Sequence, residues 1–229
     1  MTTGEQAGRG DTQGAVEAFP RIVTVSREFG AGGARIAGRV AAELGFQLWD
    51  QELVSHIARK AELEPHVVRD VDERGRDILE EVLAASLPGQ ISGSKYRSLL
   101  TRTVSELADR GGAVIVGRGA NFLVPNEKAL RVRVVCPLKK RIDRYAAASR
   151  VDAEAAERFV SGKDRERDKF VHQLCGENGA DALHYDLVVN TADLSEHAAA
   201  QLVIASYHAR FGALGRVARH SSVPPQIAL

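Results

Sequence analysis

The segment Ser26-Arg27-Glu28-Phe29-Gly30-Ala31-Gly32-Gly33-Ala34-Arg35-Ile36 closes a β-rich run and opens a helical one. Glycines in that context let successive backbone N–H groups turn toward one point. The helix N-terminus adds a partial positive charge of about half a unit. Together these make an anion nest suited to phosphates. The competing reading is a glycine-rich turn that only packs strand one tightly on helix one. Set against the pattern G-x-x-x-x-G-K-[ST], the match is partial. Gly32 takes the second glycine, Gly33 stands at the lysine, Ala34 at the hydroxyl that holds Mg²⁺, and Arg27 at the first glycine. Arg27 and Arg35 are the two candidates to supply the missing charge.

Two further cationic features accompany the loop. Gly117-Arg118-Gly119 follows an apolar run, and the glycines clear room for a guanidinium that can grip a phosphate bidentately. The alternative is an arginine paired with a neighbouring acid. Residues 139–169 hold ten basic and seven acidic residues, densest at Lys163-Asp164-Arg165-Glu166-Arg167-Asp168-Lys169. Such a run is either a solvated helix face or a mobile arginine lid that closes over a transferring phosphoryl group.

The elements that must position these groups alternate along the chain. Arg21–Ser26, Phe46–Trp49, Ala113–Val116, Val132–Val135 and Leu187–Val189 read as strands. Ala113-Val114-Ile115-Val116 is apolar on both faces, as a central parallel strand requires. Helical periodicity appears after Gly33, after Pro65, and from Tyr96 to Leu107. It continues from Pro137 to Leu174, and from Ser195 with Ala198, Leu202 and Ala205 turned inward. The expectation is an α/β fold with a doubly wound five-stranded parallel sheet, whose ligands bind beyond the carboxyl ends of the strands.

The chain of 229 residues suits about one and a half average domains. Residues 1–19 read as a flexible leader and 220–229 as a flexible tail around a single domain over 20–219. Thirty-one basic and thirty acidic residues leave a net charge of +1, which argues against a duplex-nucleic-acid binder. Aromatics are only 5%, too few for a base-stacking platform. Cys136 and Cys175 lack any paired spacing and read as free thiols in a reducing compartment, so a cytoplasmic location is expected. No apolar run approaches a membrane span. The seven histidines are scattered, with no metal-ligand spacing. Oligomeric state is not encoded in any pattern here.

Taken in order, five strings resemble the cytidylate kinase-like family, a branch of the P-loop nucleoside monophosphate kinases. They are Ile22–Gly33, Leu48-Trp49-Asp50-Gln51-Glu52-Leu53, Val114–Gly119, Asp164-Arg165-Glu166-Arg167 and Tyr185–Thr191. The resemblance covers about residues 20 to 210. It implies a helical acceptor-binding insertion over 50–110 and a charged lid over 139–175. It also implies transfer of the ATP γ-phosphoryl, with Mg²⁺, to CMP, dCMP or a related small acceptor. By that resemblance Arg27, Gly30, Ala31, Gly32, Gly33, Ala34 and Arg35 hold the ATP phosphates. Asp50 and Arg118 bind the acceptor, Arg165 and Arg167 clamp the transferring group, and Asp164 orients them or the acceptor. Where characterised cytidylate kinases read Gly-Arg-Asp, this chain has Gly117-Arg118-Gly119. The missing loop lysine and hydroxyl keep a second reading open: a catalytically weak nucleotide-binding regulator of the same fold.

Overall fold

A computed structural model describes residues 21–50, 52, 53, 56, 57 and 93–212. The leader 1–19, the tail 220–229 and most of the expected insertion over 50–110 lie outside the described residues.

Five parallel strands form one sheet in the order β2-β3-β1-β4-β5. They are β1 (Ile22–Arg27), β2 (Gln47–Trp49), β3 (Ala113–Val116), β4 (Ala129–Val135) and β5 (Leu187–Asn190). The helices are α1 (Gly33–Leu44), α2 (Gly93–Arg110), α3 (Ala120–Leu123), α4 (Leu138–Ser149), α5 (Ala153–Cys175) and α6 (Glu196–Phe211). The doubly wound expectation therefore holds. With β2 and β3 on one side of β1, and β4 and β5 on the other, the carboxyl end of β1 is the topological switch point.

The inner strands alternate between two cores. Val23 and Val25 of β1 pack with Ile36 and Val40 of α1 and Val203 and Tyr207 of α6. Ile22 of β1 packs on the opposite face with Leu100 and Val104 of α2 and with Ile115 of β3. All four residues of β3 are buried, as a strand covered on both faces must be. Burial pushes the Tyr207 hydroxyl up to about 12. In β1 the odd positions face α1, so Arg27 continues the row of Val23 and Val25.

One local expectation is corrected, and one helical stretch is found to be divided. The face of α6 that turns inward is Ala199, Ala200, Val203 and Tyr207. Leu202 is 47% exposed, and Ala205 also faces solvent. The charged stretch after Pro137 is not one helix but two, packed on each other. Arg150 ends α4 in the left-handed conformation (φ 58°). The Asp152 carboxylate then caps α5 by accepting from the Ala155 N–H at 2.7 Å.

Candidate functional site

The loop between β1 and α1 turns on Gly30 (φ 77°) and Gly32 (φ 84°), a conformation that disfavours any side chain. Gly32 caps α1 and has no side chain to accept from its first amides, for which no side-chain acceptor stands among the described residues. Those amides, with the helix dipole behind them, face the carboxyl edge of the sheet. Thr191, just past β5, anchors the loop by donating to the Ala31 carbonyl at 2.9 Å.

Arg27 and Gly33 are sterically coupled. A Cβ placed on Gly33 would lie 2.5 Å from the Cβ of Arg27 and 3.0 Å from its Cγ. The Arg27 stem therefore occupies the space from which a loop lysine would start. Its guanidinium reaches the end of β3, where a Cβ on Gly117 would overlap Nη1 and lie 3.0 Å from Cζ. Arg35, the other candidate, goes elsewhere. It forms an exposed pair with Glu196, Nε to Oε1 at 2.5 Å.

Beyond β3, three consecutive residues adopt positive φ: Gly117 (72°), Arg118 (57°) and Gly119 (64°). For Arg118, which has a Cβ, this is strained backbone of the kind concentrated at functional sites. Gly119 is closely packed as well, since a Cβ there would lie 2.9 Å from the Cys175 sulfur. The Arg118 guanidinium lies 5.9 Å from the Phe170 ring of α5, and no ion pair among the described residues holds it. Asp50 is half-buried just past β2, and its N–H donates to Glu52 Oε2 at 3.3 Å.

The helical stretch expected to form a lid is fastened to the loop by a buried cation that sequence reasoning did not single out. The Arg141 side chain is 6% exposed. Its Nε donates to the Cys136 carbonyl at 2.8 Å, and its Nη1 to the Phe29 carbonyl at 3.1 Å and to Asp164 Oδ2 at 2.5 Å. Asp164 Oδ1 also accepts from the Phe29 N–H at 2.7 Å. Glu28 Oε2 accepts from the Cys136 N–H at 2.8 Å and lies 3.5 Å from Arg141 Nε. Asp164 thus ties α5 to the glycine loop, and it makes no hydrogen bond to Arg165 or Arg167. Phe29 adds apolar contact, meeting Tyr145 and Phe159 edge-on at 5.7 and 5.4 Å.

The two expected lid arginines separate. Arg165 is exposed. Arg167, three residues after Asp164 and on the same helical face, stands over the Phe29 ring at 5.4 Å. Its Nε and Nη1 are buried, with no hydrogen-bond partner among the described residues. Buried guanidinium nitrogens without an acceptor are costly, and their position beside the loop suits an anion.

On the β5 side of the loop lies a cavity of about 290 Å³, bordered by Ala31, Arg35, Arg144, Thr191, Ser195 and Glu196. Arg144 donates from Nη2 to the Thr191 carbonyl at 3.0 Å. Neither Arg144 nor Glu196 was marked by a motif. The signal available was only their place, just after β4 and β5. The strand order therefore sets Asp50, Arg118 and Arg27 on one side of the glycine loop, and this cavity on the other. A triphosphate suits the loop, its bare helix start and the orphaned Arg167. A protein-held Mg²⁺ does not suit the side chains, because Ala34 offers no hydroxyl. Among the described residues no group of three His, Cys, Asp or Glu could hold a metal.

The comparisons with known proteins bear on family and fold. The model of the cytidylate kinase-like family matches residues 22–193. A cytidylate kinase from Methanopyrus kandleri is 26% identical over 156 residues, which is 64% of this chain and 78% of that protein. A uronate isomerase from Corynebacterium glutamicum is 28% identical over 120 residues. That match covers 52% of this chain but only 23% of that protein's length. An uncharacterised protein from Eubacterium ventriosum has a similar fold, with a TM-score of 0.60 and 19% identity. The alignment covers 81% of this chain and 96% of that one.

Proposed function

The chain belongs to the cytidylate kinase-like family, and from that premise we propose that it transfers the ATP γ-phosphoryl to a nucleoside monophosphate, CMP or dCMP first. The observation that carries this reading is Arg167. Two of its nitrogens are buried without an acceptor among the described residues, and its guanidinium stands over the Phe29 ring of the loop. A γ-phosphoryl group at that point supplies the missing acceptor, and a guanidinium there stabilises charge on the equatorial oxygens during transfer.

Each part has a role under this proposal. The amides of Gly32, Gly33 and Ala34 receive the donor phosphates. The cavity beside Arg144 and Thr191 takes the donor's nucleoside. Arg118 holds the acceptor phosphate, with Asp50 further along the same edge. An acceptor oxygen then bonds to the γ-phosphorus as the bond to the β–γ bridging oxygen breaks, giving ADP and a nucleoside diphosphate. A phosphate monoester has a second pKa near about 6, so its oxygen is already deprotonated at neutral pH. No general base is then required. That accords with Glu28 and Asp164 both being committed to Arg141 and to backbone amides. Mg²⁺ neutralises phosphate charge when it arrives on the nucleotide.

A coupled ATP-consumption assay with CMP, dCMP, UMP, AMP and non-nucleotide acceptors tests the reading. Turnover highest with CMP or dCMP is expected, and no turnover with any acceptor would sink it. Gly33 and Ala34 favour one competing reading, a nucleotide-binding regulator without catalysis. Tight ATP or CMP binding by calorimetry without product would establish that instead.

A further inference from the structure

We propose that Arg27 is the cation that replaces the loop lysine, and that its guanidinium serves the donor and acceptor phosphates together. The inference rests on the phosphotransferase reading above and adds a phosphate-contacting residue to it.

Three observations carry it. The Arg27 stem fills the start of the path a side chain at position 33 would take, since the two Cβ atoms would be 2.5 Å apart. Lysine at 33 and arginine at 27 are therefore mutually exclusive, and the loop's composition is one coupled exchange rather than a loss. Second, the guanidinium lies against Gly117, whose Cβ would be 3.0 Å from Cζ. Gly117 is hydrogen-bonded to β1 through the Val25 carbonyl at 2.9 Å, so this contact is held by the sheet itself. Third, Gly117 immediately precedes Arg118, in the strained turn of positive φ. The charge thus sits between the start of α1 and the Arg118 turn.

The chemistry follows from that place. A loop lysine is a point charge on a flexible stem that contacts the donor oxygens. A planar guanidinium can offer parallel N–H groups to two phosphates at once. Located between the donor loop and Arg118, it draws the acceptor oxygen toward the γ-phosphorus and neutralises charge on both. Arg35 cannot take this part while it pairs with Glu196 on the far side of the loop.

The test uses the full chain, with inorganic tripolyphosphate and ATP as calorimetric probes and CMP as acceptor. Arg27→Met keeps most of the stem and removes the charge. It is expected to weaken tripolyphosphate binding about tenfold or more and to lower kcat with CMP about a hundredfold or more. Gly33→Lys alone is expected to lose tripolyphosphate binding through the steric conflict. The double variant Arg27→Gly with Gly33→Lys is expected to recover most of it. Circular dichroism and melting curves establish that each variant is folded. Tripolyphosphate binding by a folded Arg27→Met chain equal to that of the parent would overturn the proposal. So would tighter binding by Gly33→Lys alone. If the parent chain transfers phosphoryl to no acceptor, the phosphotransferase reading fails, while the binding arm still decides whether Arg27 holds phosphates.

Discussion

The side chain of Arg27 and any side chain at position 33 exclude one another, because their Cβ atoms would stand 2.5 Å apart. Glycine at 33 is therefore a packing requirement imposed by Arg27. Gly33→Ala is predicted to destabilise the fold by about 1–3 kcal/mol, the usual range for overpacking a filled site. The same substitution beside Arg27→Gly is predicted to cost much less. Urea unfolding of the two pairs of variants measures this, and equal losses in both backgrounds would contradict it.

Arg141 is predicted to be the largest single electrostatic contributor at the site. Its removal leaves Asp164 and Glu28 facing the loop without their partner. Arg141→Ala is expected to lower stability by about 3 kcal/mol, as for breaking other buried ion pairs. Arg141→Lys is expected to recover only part, since one ammonium cannot reach Cys136, Phe29 and Asp164 together. Chemical denaturation reads both. A loss below about 1 kcal/mol, typical of surface pairs, would show that the web is not buried in solution.

Arg165 and Arg167 are predicted to differ sharply although they are two residues apart. Arg167→Ala is expected to reduce kcat about 10²–10³-fold and to weaken ATP binding far less. Arg165, on the exposed face, is expected to change kcat less than about threefold on replacement by alanine. Steady-state kinetics with separate calorimetry decides it. Equal losses in turnover and binding for Arg167→Ala would contradict a role confined to the transition state.

The architecture was legible in the sequence and the lid's division of labour was not. β1 is a β-rich run that leads into the glycine loop, and β3 is an apolar run ending at Gly117, the character of a central parallel strand. α6 is rich in alanine, so its two faces look alike in sequence. The buried one, with Ala199, Val203 and Tyr207, is fixed by α1 and β4. The lid's ten basic residues carry nothing to say which is buried. Arg141 is buried because the loop carbonyl of Phe29 and the carboxylate of Asp164 converge there, 112 and 23 positions away in the chain. Asp152 three residues before Ala155 was a readable capping signal for the break between α4 and α5. The choice between Arg27 and Arg35 required three dimensions, because Glu196, which draws Arg35 aside, lies 161 residues away.

Acid sensitivity is predicted at the opposite edge of the sheet. Burial alone would raise the Asp186 carboxyl. Hydrogen bonds from the Arg131 side chain and backbone, together with Arg210, outweigh burial and hold it at about 2. An unfolded aspartate titrates near about 3.9, so the folded value is depressed. The stabilisation is complete above the unfolded value and disappears as pH falls toward about 2. Melting temperature is expected to drop through that window, and Asp186→Asn is expected to flatten the drop. An unchanged pH profile in Asp186→Asn would contradict the assignment.

Under the proposed function, phosphoryl transfer at this glycine loop runs through Arg167. It is tested most directly by following the radiolabelled γ-phosphoryl of ATP into product with CMP as acceptor, for the parent chain and for Arg167→Ala. Labelled CDP is expected from the parent, and a loss of about a hundredfold or more in the variant at saturating ATP. Absence of labelled product from the parent with CMP, dCMP and every other acceptor tried would contradict it, as would an undiminished rate in Arg167→Ala.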